Sequence, residues 1–236
     1  MTIAAVKVHD LRFALGPSAG SDAIHRDPVY SYAVTELITS DGLSGCGFAF
    51  TLGEGNHLVC QAAEFLASTL TGKSIGEVMA GFGSWQCGAA NEQQFRWLGP
   101  HKGVVHLALA SVTNACWDLW ARSRGLPLWK LLLELPTREL LATLDFSYVE
   151  DVLSPAQAAA LLEEEHPTRK QRSGITRSGY PGYDTSIGWF NYSDEQVAAN
   201  VAKSVAAGFT AMKLKVGSSD LQRDIRRTRL VRQAAG

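Results

Sequence analysis

Apolar residues recur along this chain at two spacings, and the change of spacing divides it. Near the start the period is two: Val6, Val8, Leu11 and Phe13 form one run, Val34 to Ile38 a second, and Cys46, Phe48 and Phe50 alternate with smaller residues in a third. Side chains of a strand point alternately to opposite faces, so these runs predict antiparallel strands, the third entered through a turn at Ser40-Asp41-Gly42. The period then lengthens. Leu58 to Leu70, Gln93 to Leu98 and Val104 to Arg124 predict helices, the last stopped by Gly125 and Pro127. That last helix carries Leu107, Leu109, Val112, Cys116, Trp117 and Trp120 nearly all round and is therefore predicted to be buried. Asp118 and Arg122 stand one turn apart on it, which predicts an ion pair along the helix.

From about Leu140 the pattern shortens again, and Leu141 to Ser147 predicts a first barrel strand with a boundary near residue 135. The charged stretch from Glu163 to Lys170, with Pro167, reads as a surface linker, and Tyr180 to Ser186 as a turn-rich loop ending at Trp189. Ser193-Asp194-Glu195-Gln196 has the form of a capping box, Val197, Val201 and Val205 make an apolar stripe, and Gly208 can end that helix. A strand follows at Ala211 to Gly217, with Met212, Leu214 and Val216 on one face and Lys213 and Lys215 on the other. Ser218 and Ser219 can cap a second helix bearing Leu221, Ile225 and Val231. Helix, strand, helix is the order of a parallel α/β sheet, and in a barrel the two lysines would face its C-terminal mouth, where barrel enzymes keep their chemistry. An exposed strand with water-facing lysines fits the same spacing.

The chain's 236 residues allow one large domain or two small ones, and a formal net charge of -1 gives no pull towards nucleic acid. Arg223, Arg226, Arg227, Arg229 and Arg232 are interleaved with Asp220, Asp224 and core positions, which predicts a solvated helix face. No run has the length of a membrane span, and MTIAAVKVHD lacks the design of a signal peptide, so the expected location is cytoplasmic. Cys46, Cys60, Cys87 and Cys116 are widely spaced and predicted to be buried thiols rather than ligands or disulfides. The histidines show no metal-ligand spacing, and His106 falls within the apolar helix pattern. Gly45-Cys46-Gly47 lacks the third glycine of a dinucleotide fingerprint, Phe50 standing in its place.

Several longer words stand in order along the chain: Gly20-Ser21-Asp22-Ala23 with Asp27-Pro28 and Tyr30; Phe50-Thr51-Leu52-Gly53; Arg96-Trp97-Leu98-Gly99-Pro100 with Lys102-Gly103-Val104-Val105-His106; Asn114-Ala115 with Trp117-Asp118-Leu119-Trp120; Gly179-Tyr180-Pro181; Gly188-Trp189; and Lys213-Leu214-Lys215-Val216-Gly217. With these words the chain resembles the enolase superfamily, and within its mandelate racemase-like branch the L-fuconate dehydratase group. The resemblance implies an α+β N-terminal capping domain over residues 1–135, followed over 136–236 by the start of a (β/α) TIM-type barrel, with both lysines at the end of the second barrel strand. It implies magnesium-assisted dehydration of a six-carbon sugar acid to a 2-keto-3-deoxy acid. Lys215 would take the proton α to the carboxylate, and Lys213 would place a second positive charge beside it and contact the carboxylate. Enzymes of this superfamily pair a Lys or His base with magnesium, which stabilises the enediolate. Gly20, Ser21, Asp22 and Tyr30 would close over the sugar from the cap.

Two departures accompany the resemblance. Tyr183-Asp184-Thr185-Ser186 stands where relatives have Tyr-Thr-Thr-Ser, adding a charge that could repel an acidic substrate. The family's magnesium ligands and its acid histidine are expected beyond Gly236, so no metal ligand is assigned in this chain, the barrel is expected to be incomplete against a usual length of about 250 residues, and activity of the chain alone is not expected. The partner implied is a small-molecule sugar acid, with no nucleic acid or membrane, and a homo-oligomer when complete. Two alternatives stay open: a dehydratase for another sugar acid such as galactonate, and a non-catalytic binding protein derived from the same fold.

Overall fold

The computed structural model describes residues 2–99, 102–177 and 179–236; Pro100, part of the sequence words above, lies outside them, as do His101 and Ser178. The chain forms two compact units, one of residues up to Leu11 with Ser31–Gly179, the other of Arg12–Tyr30 with Tyr180–Gly236.

In the first unit, β1 (Ile3–Phe13), β2 (Tyr30–Thr39) and β3 (Ser44–Thr51) form one sheet in that order. β2 and β3 pair antiparallel with Ser31 opposite Thr51 and Ile38 opposite Ser44, joined by the expected turn, where Gly42 at φ +87 adopts the left-handed conformation. The helices α1 (Asn56–Ser68), α2 (Ile75–Ala80), α3 (Phe82–Ala90), α4 (Gln93–Leu98), α5 (Val104–Ser123), α6 (Leu128–Glu134) and α7 (Thr137–Ala142) follow. α5 is buried along most of its length, with Ala108, Val112, Cys116 and Leu119 in the core, but Leu107, expected among them, is exposed. Its predicted ion pair forms, Arg122 Nε lying 2.8 Å from Asp118 Oδ2.

The alternation in β3 places its large residues outside. Gly45, Gly47 and Ala49 face α5, whereas Phe48 and Phe50 are exposed and pack edgewise or tilted on Tyr32 with ring centroids 5.5 Å apart. A β-carbon on Gly47 would sit 2.2 Å from the Ser111 carbonyl oxygen, so helix and strand approach at backbone distance.

Several expectations are corrected here. Leu141 lies in α7 rather than in a strand: Pro136 at the helix cap accepts from the Leu140 amide at 3.0 Å, and Leu140 packs on the core, so a short apolar run became a helical turn. The charged stretch is helical as well, comprising the end of α8 (Pro155–Glu164), a 3₁₀ turn at His166–Thr168 and the start of α9 (Arg169–Arg177); Pro167 occupies a first-turn position that needs no amide donor. Of the cysteines, Cys60 and Cys116 are buried, burial pushing the Cys116 thiol up to about 12, but Cys46 is exposed and Cys87 half-buried.

The second unit contains β4 (Asp184–Gly188), α10 (Asp194–Ala206), β5 (Met212–Leu214) and α11 (Leu221–Ala235). β4 and β5 are parallel neighbours joined through α10, the predicted βαβ arrangement. β4 occupies part of the segment expected to be loop. Ser193 caps α10 by accepting from the Gln196 amide at 3.2 Å, and Gly208 follows the helix at φ +89. Asp220, not Ser218 or Ser219, caps α11, accepting from the amides of Gln222 and Arg223. Ile187, Val197 and Val201 form the small core, with Met212, Leu214, Leu230 and Val231 packed on it. Val205 and Val216, expected among them, are exposed, because the stripe of α10 turns away by its last turn and β5 ends at Leu214. Among the described residues no helix is long and apolar enough to cross a membrane.

Candidate functional site

All six residues singled out from the sequence belong to the second unit: Gly20, Ser21 and Asp22 come from its N-terminal loop, Tyr30 from the first position of β2, and Lys213 and Lys215 from β5 and the residues after it. In β5, Met212 and Leu214 pack on the helix-covered core, which leaves Lys213 exposed on the opposite face. Lys215 continues the pairing beyond the strand by donating its amide to the Gly188 carbonyl at 3.0 Å. Its ammonium lies 5.4 Å from the centroid of the Trp189 indole, within reach of a cation–π attraction. The ends of the two parallel strands thus carry a lysine and an aromatic face in contact.

The loop holding Gly20 to Ala23 is fixed against these strand ends. Ser21 is fully buried; its carbonyl accepts from the Phe190 amide at 3.0 Å, and its hydroxyl accepts from the Asp27 amide at 3.0 Å. Gly20, at φ +76, lies so close to Leu15, Pro28 and Tyr30 that a β-carbon would meet the Tyr30 ring at 3.2 Å. A β-carbon on Gly217 would stand 3.3 Å from that of Ala23, so the loop also reaches the segment just after Lys215. The structure therefore brings Gly20, Ser21 and Tyr30 together, and the loop they form against the strand ends bearing Trp189 and Lys215.

Asp22 ties its own loop together. One carboxylate oxygen accepts from the amides of Ile24 at 2.9 Å and His25 at 2.7 Å, and lies 3.1 Å from His25 Nδ1. The backbone bond from His25 first, then that from Ile24, hold its carboxyl down at about 2. Asp184, whose added charge the sequence set against an acidic substrate, stands at the opposite end of β4 from Gly188, about 13 Å along the strand. Its carboxylate accepts from the Ser186 amide at 2.7 Å and is turned to its own backbone.

Arg226, Arg229 and Arg232 of α11 are exposed as predicted, but sequence reasoning missed the inward side of that helix. Arg227 is 1% exposed, against the predicted solvated face, and donates to the carbonyls of Tyr192 at 2.7 Å and Trp189 at 3.0 Å. Arg223 donates to the Phe190 carbonyl and stacks over that ring at 4.4 Å. Asp224 accepts from the amides of Gly217 and Ser218, both at 2.8 Å. The alternation of basic and acidic residues was visible, but the inward direction of Arg223, Asp224 and Arg227 depends on α11 packing against the loop after β4. Among the described residues no group of three or more His, Cys, Asp or Glu side chains is placed to hold a metal ion.

Known proteins resemble this chain in sequence and in fold. Residues 21–132 match the family model described as mandelate racemase / muconate lactonizing enzyme, N-terminal domain. The crystal structure of human mitochondrial enolase superfamily member 1 is similar over 100% of this chain and 54% of that one, with 40% identity and a TM-score of 0.93. L-galactonate dehydratase from Hypocrea jecorina is 36% identical, the match covering 100% of this chain and 53% of that protein. A crystal structure of L-talarate/galactarate dehydratase from Salmonella typhimurium LT2, liganded with Mg and L-lyxarohydroxamate, shares the fold at 23% identity with a TM-score of 0.67, over 98% of this chain and 48% of that one. The chain spans about half the length of the curated relatives it matches.

Proposed function

We propose that this chain, whose residues 21–132 match the N-terminal domain of the mandelate racemase / muconate lactonizing enzymes, supplies the substrate-closing loop and the base lysine of a sugar-acid dehydratase. The observation that carries the reading is the juxtaposition of a buried loop, bonded through the Ser21 carbonyl to the Phe190 amide, with the strand ends bearing Lys215 and Trp189.

In this reading the sugar acid lies at the C-terminal ends of β4 and β5. The uncharged amine of Lys215 takes the proton from C2, and the C–H electron pair moves towards the carboxylate to give an enediolate. Lys213 offsets the charge that develops there. Collapse of the enediolate breaks the C3–O bond, the leaving hydroxide takes a proton to become water, and the enol ketonises to a 2-keto-3-deoxy acid. The Trp189 face shields one side of the Lys215 ammonium from solvent, and the loop around Ser21 covers the substrate. Magnesium, named with the Salmonella enzyme, belongs to this chemistry. The described residues do not fit an ion site, so the reading assigns neither its ligands nor the acid that protonates the leaving hydroxide to any of them.

L-fuconate is the proposed substrate, on the sequence words shared with that group. L-galactonate is the second candidate, on the 36% identity with the Hypocrea jecorina enzyme. The test is a chimera in which this chain replaces the aligned half of that L-galactonate dehydratase. With magnesium it is expected to form a 2-keto-3-deoxy acid from one of the two substrates, read as a semicarbazone. A folded chimera that turns over neither acid, beside an active parent, contradicts the reading.

A further inference from the structure

We propose that Asp224 is a positioning residue for Lys215: by gripping the backbone amides of Gly217 and Ser218 it fixes the segment that follows the lysine, and so holds the ammonium against the Trp189 indole. Calling Lys215 the base rests on the function proposed above; the grip itself does not.

The need for such a device follows from where the sheet stops. Strand pairing ends with the bond from the Lys215 amide to the Gly188 carbonyl. Val216 is next, 48% exposed, and has no core to anchor it. Gly217 then sits at φ +112, a conformation that side-chain-bearing residues rarely adopt and that an unrestrained chain would leave readily. Both amides in this segment, those of Gly217 and Ser218, point at the same oxygen, Asp224 Oδ2, at 2.8 Å. A carboxylate accepting two amide bonds is a strong, directional hold, and the Asp224 side chain is only 14% exposed. The bond from Gly217 is the first cause of the lowered carboxyl pKa of Asp224, which keeps the acceptor ionised.

Capping of α11 does not explain Asp224. The capping role is filled by Asp220, which accepts from the amides of Gln222 and Arg223 at 2.9 and 3.2 Å. One turn further along, Asp224 reaches back over the helix start to the strand end. The same helix reaches the other side of the lysine–indole contact through Arg227, which donates to the Trp189 carbonyl at 3.0 Å. α11 therefore holds the backbone of both partners, Trp189 through its own carbonyl and Lys215 through the two residues after Val216.

The experiment uses the whole chain with its lysines reductively methylated with ¹³C-formaldehyde. The Lys215 signal is assigned with Lys215→Arg, and its indole-induced shift with Trp189→Leu. In Asp224→Ala the Trp189-dependent shift of Lys215 is expected to vanish, and the Gly217 and Ser218 amides to exchange about tenfold to a hundredfold faster. Asp220→Ala, which removes the cap of the same helix, is expected to leave the shift in place, and Asp224→Asn, which keeps one carbonyl acceptor, to retain part of it. Retention of the full shift in Asp224→Ala, or equal loss in Asp220→Ala, overturns the proposal. If Asp224→Ala does not fold, Asp224→Asn decides: faster exchange of the two amides supports the grip, and unchanged exchange overturns it. These readouts need no turnover, so they stand or fall separately from the dehydratase reading.

Discussion

Replacing Arg227 by methionine should uncouple the loop after β4 from α11 and destabilise the second unit by several kilocalories. Arg227 is 1% exposed and makes two charge-assisted bonds, to the carbonyls of Tyr192 and Trp189, with Asp194 Oδ1 3.7 Å away. A hydrogen bond to a charged group contributes about 1.5–3 kcal/mol, and breaking a buried charged contact costs about 3–5 kcal/mol; the apolar burial of methionine returns part of this, leaving a net loss of about 3 kcal/mol. Arg226, its neighbour in sequence, is the internal control. It also approaches Asp194, at 3.6 Å, but 61% of its side chain is exposed, so Arg226→Ala should cost less than about 1 kcal/mol. The assay is urea unfolding followed through hydrogen-exchange protection of residues 184–235. At a slope of about 2 kcal/mol per molar, Arg227→Met is expected to lower the midpoint by about 1.5 M and Arg226→Ala by no more than about 0.5 M. Equal midpoints for the two variants would refute the reasoning that burial, and not charge, separates them.

Gly47→Ala would place a β-carbon 2.2 Å from the Ser111 carbonyl and 2.3 Å from the Ala115 amide nitrogen, so it should destabilise the first unit by about 1–3 kcal/mol; an unchanged thermal midpoint contradicts the close approach of β3 and α5. Asp22, with its carboxyl held at about 2 against an ordinary 3.8, contributes loop order that is complete above about pH 4 and lost as the pH falls through about 2; slowly exchanging Ile24 and His25 amides should report this, and their loss between pH 6 and 5 would contradict the assignment. In the chimera, Lys213→Ala should lower the dehydration rate while leaving measurable exchange of the substrate α-proton; complete loss of exchange would show that Lys213, rather than Lys215, takes the proton.

What the sequence made legible was written in local signals. Ser193, the valines after it and Gly208 announce α10 through capping and period, and the alternation around Lys213 and Lys215 announces β5, because both signals lie within the segment itself. β4 was hidden because Asp184, Ser186 and Gly188 are poor strand formers and outnumber Thr185 and Ile187; the strand exists through pairing with Met212 to Leu214, more than twenty residues later. Leu141 reads wrongly as strand because a short apolar run fits either period, and packing settles it. The glycines of β3 showed which residues were small but not that α5 would press against them. At the site, the sequence words marked the loop and both lysines. The inward turn of Arg227 and the grip of Asp224 on the segment after β5 were not readable, since an arginine in a charged helix looks the same whether it meets water or a buried carbonyl.

The central claim, that Lys215 is the base, is tested most directly by exchange of the substrate's C2 proton in deuterium oxide. In the chimera with magnesium and the sugar acid that it dehydrates, the parental chain is expected to wash the C2 proton into solvent. Lys215→Ala, still folded and still binding the acid, is expected to exchange it at least about a hundredfold more slowly. Exchange by Lys215→Ala at the parental rate would contradict the account.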